Sequence, residues 1–326
     1  MTATEITFYS GPLKFGGTLA CGDPSKPGPA ALLISGSGPL DRDSNTKKLS
    51  IDVMAQIAAH LERSSITSFR FDKRGVGASE GDYHACGFAD NVADARAALA
   101  ALRERPEVDE QQVFVIGHSE GAIIAAELAA TKLNDSDPDL AGTILLACPA
   151  TDGRTVLRWQ AKQLSGTLPR PVALLLKLLR KDLAAIQDKR LKQIAATTED
   201  TVRVQLVKIN AKWLREFMAH DPAPSLRLID TPVLAVTGAS DVQVDPAHTE
   251  QIRQLVPGPC TVRVIDDLTH LLRTEPGAPS LKTYKKQAKR PVDPELLGLL
   301  TNWIDDTIQA QPHDDLQSHA KSQPES

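Results

Sequence analysis

Paired cysteines, long apolar runs and a large excess of charge of either sign are all missing from this chain. Its four cysteines stand far apart, at positions 21, 86, 148 and 260. They form no CxxC pair and join no Cys/His cluster, which argues against a zinc site or other metal site and against a disulfide framework. No apolar stretch approaches the length of a membrane span, so no transmembrane segment is expected. The opening residues lack the basic start and apolar run of an export signal, which makes a cytoplasmic setting the default. A signal removed ahead of the given start is left open. With 37 basic and 41 acidic residues, the net charge of -4 offers no purchase to nucleic acid or an anionic membrane.

What is present suffices for a well-buried core: 326 residues, 41% of them apolar. One large domain with an excursion fits this length better than two independent units. Residues 5–20 pattern as a hairpin. Short apolar runs at 30–34, 67–72, 113–116, 142–147, 232–237 and 261–265 pattern as strands. Helical patterns cover 49–62, 88–104 and 120–132, with Val92, Ala95, Leu99 and Leu102 on one face of the second. Strands alternating with helices predict an α/β fold with a mostly parallel sheet covered on both faces. Functional residues then belong just beyond the carboxyl ends of strands.

The alternation stops after Pro149. From about 152 to 225 the pattern is helical, with the apolar run Leu174–Leu179, the patterns 183–196 and 202–218, and Trp159, Trp213 and Phe217. An all-helical insertion between two sheet strands is expected to form a lid over the strand ends, with a helical layer elsewhere as the alternative. The expected organisation is a core of residues 1–150 and 226–310, a helical cap of 151–225, and a disordered polar tail of 311–326.

Gly117-His118-Ser119-Glu120-Gly121 follows an apolar strand and opens a helix of small residues. That context turns a common GxSxG pattern into a candidate nucleophile elbow, in which a sharp turn lifts the serine hydroxyl off the sheet edge. A structural turn serine is the alternative. A reactive serine needs a base, and the base needs an orienting acid. Of eight histidines, His270 follows the last strand, where a loop can swing over the sheet edge. His118 should face away from the nucleophile in a structural or pocket-wall role, and His248 sits at a helix start and is expected at the surface. His60, His84 and His220 lack strand-end context, and His313 and His319 lie in the tail. Asp241 leaves the 233–237 strand through a glycine turn and is the preferred acid. Asp245 reads better as the cap of the following helix, and Asp266 and Asp267 lie too close to His270. The order Ser…Asp…His matches one hydrolase architecture.

An oxyanion needs two backbone donors. The N–H of Glu120 is one. Ser35-Gly36-Ser37-Gly38-Pro39 supplies the other, from Ser37 in preference to Gly38. This turn has neither the Lys-Ser/Thr of a P-loop nor the spacing of a dinucleotide fingerprint, so phosphate binding is disfavoured. The Glu120 side chain is read as solvated, as a helix-start carboxylate favoured by the dipole, or as a receptor for a cationic substrate. The first two are preferred.

These residues resemble the α/β-hydrolase family, and most of all its bacterial serine hydrolases of the serine-aminopeptidase-like and acyl-transfer-like branch. The resemblance spans roughly residues 10–310. It rests on Ser35–Asp43, on Phe71-Asp72-Lys73-Arg74-Gly75-Val76-Gly77-Ala78-Ser79, and on the elbow with Asp241 and His270. It implies an eight-stranded, mostly parallel sheet with a helical cap inserted after the sixth strand. It also implies Ser119 as nucleophile, Asp241 as acid, His270 as base, and Ser37 and Glu120 as oxyanion donors. Asp72 and Arg74 would brace loops near the site. One departure is that Ser35-Gly36 stands where the wider family has His-Gly.

The expected reaction is hydrolysis of a small-molecule acyl ester through an acyl-enzyme, with no cofactor and no metal. Amide and peptide hydrolysis, thioester hydrolysis and an inactive interaction module with the same fold are the rivals. Lys282, Lys285, Lys286, Lys289 and Arg290 read either as a solvated loop, the preferred view, or as a carboxylate receptor. A homodimer is left open.

Overall fold

The computed structural model describes residues 3–131, 138–166, 183–204, 207–277 and 280–310. Ten strands run in chain order. They are β1 Ala3–Ser10, β2 Leu13–Ala20, β3 Gly28–Ile34, β4 Thr67–Phe71, β5 Val108–His118, β6 Gly142–Leu146, β7 Thr201–Val204, β8 Val207–Asn210, β9 Val233–Gly238 and β10 Cys260–Ile265. The principal helices are α1 Val53–Arg63, α2 Phe88–Arg103, α3 Glu120–Ala129, α4 Gly153–Gly166, α5 Leu183–Ala195, α6 Ala211–Ala219, α7 His248–Leu255 and α8 Pro294–Ala310.

Eight strands form one sheet in the order β1-β2-β4-β3-β5-β6-β9-β10. The six from β4 to β10 in that order are parallel, and the β1–β2 hairpin joins β4 antiparallel. This is the α/β-hydrolase fold anticipated from the sequence. The inner strands are apolar on both faces because both faces are covered: in β3, Ala30 through Ile34 are all buried. On one side they pack against α2 and α3, through Leu99, Leu102, Ile124 and Leu128. On the other they meet α1 and α8, through Met54, Ile57, Leu61, Leu296, Leu300 and Ile304.

The chain passes from β3 to β4 on one side, then returns to β5 on the other. Such a reversal opens a crevice beyond the carboxyl ends of β3 and β5. The turn after β3 and the elbow after β5 face each other there.

The region between β6 and β9 follows the sixth strand of the chain and contains α4, α5 and α6. It is not all helical. Residues 202–218 contain a β-hairpin, β7–β8, with Val202 opposite Ile209 and Arg203 opposite Lys208. Val202-Arg203-Val204 and Val207-Lys208-Ile209 alternate β-branched and charged residues with a period of two. Four-residue strands are too short to stand out against the helical pattern that follows. Helix α6 starts only at Ala211, because the Asn210 side chain caps it by accepting from Trp213 N at 2.9 Å. Leu174–Leu179 and the tail 311–326 lie outside the described residues.

Candidate active site

Ser119 stands between β5 and α3 with φ 58° and ψ −118°. A non-glycine residue in this region is strained and persists only where its surroundings hold it. Its N–H donates to Leu146 O at 2.9 Å. The two motif glycines make the tight turn feasible. A Cβ on Gly117 would lie 2.0 Å from Gly121 O, and one on Gly121 would lie 2.1 Å from Ile34 O. Strand β5, helix α3 and the end of β3 therefore touch backbone to backbone, and only glycine fits. The turn after β3 abuts the elbow serine, since a Cβ on Gly36 would sit 3.3 Å from Ser119 Cβ.

His270 and Asp241, on loops after the neighbouring strands β10 and β9, are both buried. His270 Nδ1 lies 2.8 Å from Asp241 Oδ2. The second carboxylate oxygen accepts from Gln243 N at 2.7 Å and Val244 N at 2.9 Å. The imidazole is thus aimed by a carboxylate that is itself held by its own loop. Among the described residues, the Ser119 hydroxyl donates no hydrogen bond; catalytic contacts in unliganded sites are often long and tighten with substrate bound. The elbow and the His270 loop are nevertheless joined, because His118 Nε2 lies 2.9 Å from His270 O. Burial, helped by the nearby His270 and Arg273, lowers the His118 pKa to about 3. His118 is therefore a neutral donor in a structural role, as its place in the motif suggested.

The His270 loop is braced from below by Arg273, which is fully buried. Its guanidinium donates to the carbonyls of Leu271, Ile51 and Arg290, and burial lowers its pKa to about 10. Asp72 and Arg74 also brace loops. Asp72 takes Arg42 Nη2 at 2.8 Å and Ala78 N at 2.9 Å, while Arg74 pairs with Asp94 at 2.7 Å. Burial pushes the Asp72 carboxyl up, but its hydrogen bonds to Arg42 outweigh this and the net shift is down.

Glu120 is not solvated. Its carboxylate is buried and accepts from Lys73 Nζ at 2.8 Å, Asn91 Nδ2 at 3.1 Å and the indole N–H of Trp213. It keeps its place in the first turn of α3, but its oxygens are occupied by protein donors. Lys73 and Trp213 are the main participants that sequence reasoning missed. Lys73 lies within a quoted motif and Trp213 within the insertion, yet neither carries a local sign that it reaches position 120.

His248 is a second correction. It opens α7, but its side chain is buried rather than at the surface, and burial lowers its pKa. In the basic segment, Lys282, Lys285, Lys286 and Lys289 are exposed and Arg290 pairs with Glu275. Tyr284, between them, accepts from Gln243 Nε2 at 3.1 Å, beside the Asp241 loop. Among the described residues, no group of three His, Cys, Asp or Glu side chains is placed to hold a metal ion, no helix is long and apolar enough to cross a membrane, and the four cysteines are free.

A parallel sheet of this order, a strained elbow serine and a buried His–Asp pair at adjacent strand ends define the class: a serine hydrolase of the α/β-hydrolase superfamily. The family model described as Serine aminopeptidase, S33, matches residues 49–277, and the chain belongs to that family. Among curated proteins, Esterase EstD of Thermotoga maritima is 27% identical over 287 residues, covering 86% of this chain. The match spans 63% of the length of that relative. Among solved structures, the α/β hydrolase GrgF from Penicillium sp. sh18 superposes with a TM-score of 0.62 at 18% identity, covering 95% of this chain and 99% of its own. Est1E from Butyrivibrio proteoclasticus, solved with ferulic acid, has a TM-score of 0.59 at 14% identity, covering 94% and 98%. Proline iminopeptidase from Mycobacterium smegmatis gives 0.59 at 14%, covering 94% and 99%. At these identities the solved structures share the fold.

Proposed function

We propose that the protein hydrolyses carboxylic esters of small molecules through Ser119, His270 and Asp241. The observation that carries this reading is the 2.8 Å contact of His270 Nδ1 with Asp241 Oδ2, made by a loop that is also bonded to the elbow. In the first step His270 Nε2 takes the Ser119 proton as the hydroxyl oxygen attacks the ester carbonyl. The N–H groups of Ser37 and Glu120 receive the oxyanion. Glu120 opens α3, so its N–H is a first-turn donor that no helical carbonyl can take, and the helix dipole adds favourable potential there. His270 returns the proton to the leaving alcohol, then activates water against the acyl-enzyme. Asp241 holds the imidazole in the needed tautomer throughout.

Ester is favoured over an aminoacyl substrate by the state of Glu120. A substrate ammonium would be suited by a free carboxylate, and the one beside the proposed nucleophile is already paired with Lys73 and bonded to Asn91 and Trp213. Residues 151–225, which leave the chain after β6 and rejoin it before β9, are proposed as the cap that shapes the acyl pocket. The test is turnover of short and long p-nitrophenyl esters beside aminoacyl p-nitroanilides, with Ser119→Ala as control. Ester turnover that disappears in Ser119→Ala is expected. Turnover confined to the anilides, or unchanged in the variant, would overturn the proposal.

A further inference from the structure

Lys73 makes two contacts whose combination has a mechanical consequence. Its ammonium donates to Glu120 Oε2 at 2.8 Å and to Gly36 O at 2.8 Å, and both bonds are buried. The carbonyl of Gly36 and the N–H of Ser37 belong to one peptide unit. Among the described residues there is no cis peptide bond, and in a trans unit the C=O and N–H point in opposite directions across a rigid plane. Fixing the Gly36 carbonyl on Lys73 therefore fixes the direction of the Ser37 N–H. Drawing electron density onto that carbonyl also strengthens the same unit's N–H as a donor. The other end of the ion pair is the side chain of Glu120, whose backbone N–H is the second donor of the proposed oxyanion site.

We infer that Lys73 is a positioning residue for the oxyanion hole, holding the Ser37 and Glu120 donors in mutual register through one buried ion pair. The inference rests on the reading of Ser37 and Glu120 N–H groups as the oxyanion donors of an acyl-transfer site. Lys73 touches no reacting atom. It acts through the peptide plane of Gly36–Ser37 and through the Glu120 carboxylate. The indole N–H of Trp213 on α6 shares that carboxylate, so the insertion between β6 and β9 contributes to the same register.

A purely structural ion pair predicts a different outcome from a positioning one. Lys73→Met is measured for kcat and KM on a p-nitrophenyl ester and for affinity toward a trifluoromethyl ketone, whose hemiketal oxyanion occupies the hole. A positioning role predicts kcat lower by about 10- to 100-fold, as expected for a misdirected donor. KM should stay within about two-fold, and the ketone should weaken by a factor similar to the kcat loss. Unchanged kcat in folded protein, or a loss carried by KM alone, overturns the inference. Where Lys73→Met does not fold, Lys73→Met/Glu120→Gln removes both charges and carries the test: it should fold yet keep the kcat deficit, and recovery of wild-type kcat overturns the inference. Wild type that turns over no ester while Ser119 is still labelled by a phosphonate would count against the ester reading. It would leave the hole to be read by ketone affinity in wild type and variant, where equal affinity overturns the positioning role.

Discussion

The ring of His118 is bonded to the backbone of His270, with Nε2 2.9 Å from the carbonyl oxygen and the two ring centroids 4.9 Å apart. The residue just before the candidate nucleophile thus holds the loop that carries the candidate base. Two segments 152 residues apart in sequence are set against each other by one neutral imidazole.

Burial of that imidazole makes stability depend on pH, with the bond to the His270 carbonyl opposing the shift. His118 charges near 6.5 in an unfolded chain but only near 3 when folded. Below about 6.5 the unfolded state binds the extra proton, so its stabilising effect is complete above that pH and is lost as pH falls toward 3. The slope for one such group approaches about 1.4 kcal/mol per pH unit. The buried His248 shifts in the same direction. Urea midpoints between pH 7 and pH 4 should fall more steeply for wild type than for His118→Gln; parallel curves would refute the assignment.

Asp241→Asn tests the orientation of His270. The Gln243 and Val244 N–H groups would hold the amide oxygen, leaving its NH2 to donate to Nδ1 and put the ring proton on Nε2, so kcat on an ester should fall on the order of 10⁴-fold with the fold intact. Stopped-flow measurement of the acylation burst reads this directly. A loss below about ten-fold would remove Asp241 from the proposed role.

Gly121→Ala should damage the elbow itself. Its new Cβ would lie 2.1 Å from Ile34 O, a backbone atom that cannot swing aside. Overpacking of this kind typically costs about 1–3 kcal/mol or more, so a lower thermal midpoint and loss of phosphonate labelling at Ser119 are expected together. A variant with wild-type midpoint and labelling would show that the backbone contact is not needed.

Trp213→Phe removes one donor from the Glu120 carboxylate while keeping a ring to stack on Phe217, 4.7 Å away. A buried carboxylate left one hydrogen bond short should cost about 1–3 kcal/mol. Differential scanning calorimetry gives the number, and an unchanged midpoint would mean that water replaces the indole N–H.

The sheet and the elbow were legible in the sequence because they depend on local pattern: inner parallel strands are continuous apolar runs, and Gly117, Ser119 and Gly121 are spaced for one turn. His270 and Asp241 were legible because strand ends concentrate functional groups, and the structure brings the two into contact. The β7–β8 hairpin was missed because four-residue strands give too short a signal before an amphipathic helix. The burial of His248 and the Lys73–Glu120 pair were missed for a different reason. Glu120 and Lys73 lie 47 residues apart, and nothing in either neighbourhood shows that a charged side chain has its counter-ion inside the protein.

Helix α6 is fastened to the core at several points along its length. Asn210, its cap, donates to the carbonyls of Tyr83 and Cys86, both at 2.7 Å. Lys212 reaches Asp90 at 2.7 Å, Glu216 accepts from Ala89 N at 2.9 Å, and Trp213 is bonded to Glu120. Lifting this end of the insertion would break all of these at once and strand a buried carboxylate. In the proposed cap, α6 is therefore the anchored end, and any movement of the insertion would have to hinge elsewhere.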